Sequence, residues 1–226
     1  MKTKILLIAS LLATLLSACR PAAPDFTGRW TGNVAIITLT QEGNRVTGSV
    51  EGYGGQWTFP VSGTVSGTIL TFDGETPLGP LAIVLSEDGG TFHSAGPEVA
   101  FCGTRDETLP DGCGYSGSWK LKADFLAAGS VATITQSGAN LTGAVYSPDG
   151  AVLARINAVL SWSKGKYASG TNEWGEFTIR LATDEQSIEL IVPGQPGWSD
   201  AGSPQWCGIR EGLTSVFTGA FECTIP

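Results

Sequence analysis

The chain has 226 residues, with 21 Asp and Glu against 13 Lys and Arg and a formal charge of −8. So acidic a chain does not suit a phosphate backbone, and no basic, aromatic-interleaved stripe offsets the balance, which excludes nucleic acid as a partner. The charge is unevenly shared: Pro21 to Tyr115 holds eleven acids, three arginines and no lysine, whereas Ser116 to Pro226 holds ten acids and seven bases.

In chain order, residues 1–18 read as a targeting segment. Lys2 and Lys4 precede an apolar run from Ile5 to Leu16, which is shorter than the about 20 residues a membrane-spanning helix needs. The run closes on Leu16, Ser17, Ala18 and Cys19, a tetrapeptide that resembles a bacterial lipobox. That resemblance implies cleavage before Cys19, a diacylglyceryl thioether on its sulfur and an acyl chain such as palmitate on the freed amine. Several acyl chains at about 0.8 kcal/mol per buried CH₂ make a stable membrane anchor. Arg20 stands where an inner-membrane retention signal would carry Asp, so the implied address in the bacterial cell envelope is the outer membrane. Loss of residues 1–18 takes away two lysines and no acid, moving the charge from −8 to −10. Residues 19–25 then form a lipidated Pro/Ala tether.

Beyond the tether the sequence is duplicated, with copy 1 over 26–114 and copy 2 over 115–226. Thr38 to Val50, TLTQEGNRVTGSV, returns as Thr133 to Val145, TITQSGANLTGAV, without a register slip. In each, two alternating runs flank Gly43 or Gly138, the pattern of a β-hairpin. Three further landmarks recur in the same order: Gly28 to Trp30 with Gly117 to Trp119, the run from Gly79 with that from Gly175, and FCGTR with WCGIR around Cys102 and Cys207. Their offsets grow from 89 to 105 along the chain, which puts the insertions in loops.

Within the landmarks the period is two. Leu81, Ile83 and Leu85, like Phe177, Ile179 and Leu181, form one apolar face. No mature stretch shows a sustained helical period, so the fold class is all-β: two tandem antiparallel meanders of about seven short strands each. Gly48 and Gly143, inside strand patterns, mark bends or close packing under a large side chain. Closed barrels and two-sheet sandwiches both satisfy the alternation.

Cys102, Cys113, Cys207 and Cys223 remain once Cys19 is assigned to lipid, and four cysteines allow three pairings. The repeat selects Cys102 with Cys113 and Cys207 with Cys223, because Cys102 and Cys207 are equivalent and each is followed by one later cysteine. Each bridge is worth about 2–4 kcal/mol in an oxidising compartment. Metal binding by the four is disfavoured, since CxxC spacing is absent and His93 is the lone histidine.

Trp30 in a GxW and Arg105 near the end of copy 1 are matched by Trp119 and Arg210 in copy 2. This pairing resembles the signature of the calycin superfamily, the lipocalins, fatty-acid-binding proteins and avidins. There an arginine packs across the tryptophan and closes one end of a β-barrel. The resemblance implies a barrel-closing role for all four residues. It carries over no ligand-contacting residue.

Trp174 aligns with Leu78 and Trp206 with Phe101, so both read as core, whereas Trp57, Trp162 and Trp198 have no aromatic counterpart and are the candidate ligand contacts. Catalytic machinery is not legible. His93 ends a strand pattern and has no nucleophile elbow to serve. The adjacent acids Glu87 with Asp88, Asp106 with Glu107 and Asp184 with Glu185 read as solvated turn residues. The segment Asp106 to Asp111 lacks the spaced grammar of a calcium loop. The sequence thus points to a non-catalytic, membrane-anchored envelope lipoprotein without cofactor or metal. Its partner is a small apolar ligand or a surface protein; a purely structural or interaction role with filled barrels is the alternative, ahead of an envelope hydrolase.

Overall fold

The structure is a computed structural model that describes residues 24–55, 57–74, 76, 81–96, 100–123, 125–161, 167–182, 185–191, 206–212, 215–217 and 222–224. The targeting segment and Cys19 lie outside the described residues. Copy 1 consists of β1 (Gly28–Gly32), β2 (Ala35–Glu42), β3 (Arg45–Gly52), β4 (Thr58–Ser66), β5 (Ile69–Phe72), β6 (Ala82–Leu85), β7 (Thr91–Ser94) and β8 (Cys102–Thr104). Each strand pairs antiparallel with the next, and β8 returns to β1 through Thr31 opposite Thr104 and Gly32 opposite Gly103. Copy 2 repeats the scheme with β9 (Gly117–Ala123), β10 (Val131–Ser137), β11 (Asn140–Tyr146), β12 (Val152–Ser161), β13 (Tyr167–Asn172), β14 (Gly175–Leu181), β15 (Ser187–Ile191) and β16 (Trp206–Arg210). It closes where Arg210 faces Trp119. A two-stranded ribbon, β17 (Ser215–Phe217) with β18 (Glu222–Thr224), follows.

Two closed eight-stranded barrels replace the sandwich alternative. Each holds one strand more than the sequence suggests. In copy 1 the reason is length: β8 has three residues and β7 four, too few alternations to register as a period.

The duplicated hairpin turns as expected, with Gly43 at φ 63 and Gly138 at φ 57 opening two-residue loops. Gly48 is close-packed against backbone and the Leu39 side chain, and Gly143 against backbone alone. A Cβ there would lie 2.0 Å from the Thr38 carbonyl oxygen and 2.1 Å from that of Thr133. These glycines let the β2–β3 and β10–β11 backbones come together.

Side chains fill the interiors, as an eight-stranded barrel permits. In copy 1, Trp30, Ile37, Leu39, Val46, Leu70, Ile83 and Phe92 belong to one buried cluster. In copy 2, Trp119, Leu121, Ile134, Leu141, Ile156, Phe177, Ile179 and Ile188 do the same. The apolar faces read from the sequence are these inward faces.

Strands β1 and β9 each start at one end of their barrel, the base, and run to the other, the mouth. The mouth of copy 1 carries Asn33 and Tyr53; the base of copy 2 carries Gly114, Gln136, Gly138 and Glu185. These groups meet, so the barrels stack head to tail, mouth of copy 1 on base of copy 2.

Candidate functional site

Each base is closed by the arginine and tryptophan that the sequence singles out. The guanidinium carbon of Arg105 sits 4.1 Å from the Trp30 ring centroid, and that of Arg210 sits 4.3 Å from the Trp119 ring. Beyond the cation–π contact, each guanidinium ties three loop carbonyls together. Arg105 donates to Gly89 at 2.9 Å, Thr27 at 2.7 Å and Asp25 at 2.6 Å. Arg210 donates to Glu185 at 2.6 Å, Ser116 at 2.8 Å and Gly114 at 2.6 Å. The indoles donate in turn to the carbonyls of Phe26 and Tyr115, at 2.9 and 3.0 Å. The glycine of GxW is part of the device: Gly28 and Gly117 have φ 129 and 130, and an added Cβ would stand 2.8 and 3.2 Å from an arginine nitrogen.

A second base residue was missed by the sequence reading. Gln41 Oε1 accepts from the Phe26 amide at 2.9 Å, while its Nε2 donates to Pro24 and Gly43. Gln136 Oε1 likewise accepts from the Tyr115 amide at 3.0 Å, and its Nε2 donates to Gly138 and to Asn33 of the other barrel, the latter at 2.8 Å. The signal was present, since these are the glutamines of TLTQ and TITQ. Alternation alone assigns them no more than a strand end.

The same glutamine therefore has two uses. In copy 1 it holds the approaching tether; in copy 2 it holds the neighbouring barrel. Glu185 completes the junction: Glu87, Asp88, Asp106 and Glu107 are exposed as expected of turn acids, but Glu185, read the same way, is 3% exposed. Its carboxylate accepts from Asn33 Nδ2 and, at 2.8 Å, from the Gly114 amide. Its backbone stands at φ 59, a left-handed conformation that no other described non-glycine residue adopts. The equivalent residue in copy 1, judged by the shared arginine contact, is Gly89 at φ 70.

The connector between the copies is stapled by the Cys102–Cys113 disulfide, with Cα atoms 5.7 Å apart. Within it Thr108 bridges Ser137, and the Leu109 amide donates to the Gln136 carbonyl at 2.9 Å. The Asp106 to Asp111 segment is thus a docking strap on β10. Among the described residues no group of three or more His, Cys, Asp and Glu side chains gathers to hold a metal ion. Beside the strap a polar cleft of about 230 Å³ lies between the copies, lined by Arg29, Tyr53, Glu107 and Asn140 among others. Tyr53 donates its hydroxyl to the Gly32 carbonyl, and burial pushes its phenol well above the ordinary range.

The mouth of copy 2 faces away from copy 1. Phe125, in the β9–β10 loop, meets Trp174, in the β13–β14 turn, edge to face at 5.6 Å. These loops lie on opposite sides of the strand ring, so the pair bridges the opening. Trp174 and Leu126 pack on the core below, which makes Trp174 a half-buried mouth residue rather than an interior one. Phe125 is 57% exposed, and Val152 and Leu153 are exposed at the same end.

Of the three candidate contact tryptophans, Trp57 is half-buried at the mouth of copy 1, stacked on Phe59 at 5.0 Å and packed on the core. Trp162 and Trp198 lie outside the described residues. Cys207 is disulfide-bonded, while the side chain of Cys223, its expected partner, lies outside the described residues. His93 is exposed on β7. Comparison of the chain with known protein families, with curated proteins and with solved structures returns no match.

Proposed function

We propose that the chain is a non-catalytic lipoprotein of the bacterial cell envelope, anchored in the outer membrane through Cys19. Its two calycin-like barrels act as a rigid, filled support that engages an envelope partner through exposed loops. The observation that carries this reading is the packing of the barrel interior. The space left among Ile37, Val50, Phe59, Val61, Phe72 and Leu81 in copy 1 is about 10 Å³, room for no more than a single water. A ligand pocket requires about 300 Å³ or more. A filled interior favours surface recognition over an apolar ligand held inside.

Anchoring rests on the lipobox-like residues, and the head-to-tail stack gives it a consequence. The tether leads to the base of copy 1, so the mouth of copy 2, with Phe125 and Trp174, is the pole farthest from the membrane. Fractionation and intact mass of the protein from the producing cell test the anchor: wild type is expected in the membrane, cleaved before Cys19 and carrying acyl chains, and Cys19→Ala without acyl chains and with residues 1–18 retained. A photo-crosslinking residue at position 125 in intact envelopes tests the surface and is expected to yield a discrete protein adduct. Native mass spectrometry that found an apolar molecule released only on unfolding would overturn the filled-barrel reading.

A further inference from the structure

We propose that the outer wall of copy 2 carries a binding site for an amphipathic anion, a carboxylate or phosphate attached to an apolar body. The site is a cavity of about 340 Å³ between β9 and the loop that leads to β10. Lys120 and Lys122 form its charged side, and Ala123, Leu126 and Val131 contribute its apolar side. Because Trp119 and Leu121 point into the barrel, the alternation of β9 sends both lysines outward, with backbone positions about 7 Å apart. That spacing lets two ammonium groups flank a single anion.

Among the described residues Lys120, Lys122 and Arg29 are the lysine and arginine side chains without a carboxylate or carbonyl partner, and the two lysines are the neighbouring pair. Arg45, Arg155 and Arg180 are engaged by Asp73, Glu173 and Glu189, while Arg105 and Arg210 hold backbone carbonyls. Neither Lys120 nor Lys122 has an ion pair or side-chain hydrogen bond among the described residues. In a chain with 21 acids against 13 bases, two neighbouring cations paired with no described carboxylate make a local positive field at an apolar cavity. An inorganic anion would use only half of such a site. A fatty carboxylate and a lipid phosphate both fit its chemistry, and the site is independent of lipid on Cys19.

Isothermal titration of the full chain carrying Cys19→Ala, with decanoate and decyl phosphate as probes and acetate and inorganic phosphate as controls, tests the proposal. Saturable binding of a decyl probe at least about tenfold tighter than its control is expected, with about a tenfold or greater loss in K120Q/K122Q. Whichever decyl probe binds more tightly identifies the head group. Both side chains lie on the outer face, so the double variant should keep the wild-type melting temperature, and K122Q alone provides a milder second variant. Absence of saturable binding, equal affinity for decanoate and acetate, or unchanged affinity in K120Q/K122Q would each overturn the site.

Discussion

Glu185 offers the sharpest test of the junction, because its backbone and its side chain pull stability in opposite directions. A non-glycine residue at φ 59 costs about 1 kcal/mol. Its buried carboxylate accepts two hydrogen bonds, from Asn33 and Gly114, each worth about 1.5–3 kcal/mol as a bond to a charged group. Glu185→Gly, which restores the residue of copy 1, should relieve the first and lose the second, a net loss of about 2–5 kcal/mol. Glu185→Ala keeps the strain and should be about 1 kcal/mol worse than the glycine variant. Urea unfolding followed by tryptophan fluorescence gives both differences, and uncoupled barrels should unfold in two steps where wild type unfolds in one. A cycle with Asn33→Ala isolates the cross-barrel bond. Glycine at 185 matching or exceeding wild type in stability would refute the latch, and equal glycine and alanine variants would refute the strain.

Other consequences follow from the same geometry. Arg105 is exposed and Arg210 is 9% exposed, so Arg105→Ala should cost about 1–2 kcal/mol and Arg210→Ala about 3–5 kcal/mol by denaturant titration; equal costs would contradict burial of the second base. Replacing Cys102 and Cys113 by serine should cost about 2–4 kcal/mol and expose the Asp106 to Asp111 strap to protease. Burial raises the phenols of Tyr53 and Tyr115 above the ordinary value of 10. Their contribution to stability is therefore full below about pH 10 and is lost as pH rises through the folded-state values. Phenolate absorbance of the folded protein at about pH 11 should accordingly be the same in wild type and Tyr53→Phe/Tyr115→Phe, and larger absorbance in wild type would count against the packing of these rings.

The barrels were largely legible in the sequence because their information is local and periodic. Alternation placed Leu81, Ile83, Leu85, Phe177, Ile179 and Leu181 inward, and all six are buried. The GxW and the late arginine named the base because an arginine held over an indole needs both residue types at opposite ends of the strand order. The thirteen-residue repeat even marked Gln41 and Gln136 as equivalent. It could not mark what differs between them, since Gln41 bonds to Pro24 and Gln136 to Asn33, and only the stacking of the barrels supplies the second carbonyl.

The same limit governs the rest. By itself the sequence determined an all-β duplicated chain, the equivalent cysteines, the inward faces and the tryptophan–arginine pairs, all of which depend on neighbours along one strand or on one repeat compared with the other. Closure into barrels, the head-to-tail junction and the burial of Glu185 were decided by tertiary structure. Adjacent acids at a turn are solvated when nothing covers the turn, and the covering group here is Asn33, 152 residues away in the chain. A contact of that range leaves no period in the sequence, because its energy comes from desolvating two surfaces together rather than from any pattern within either.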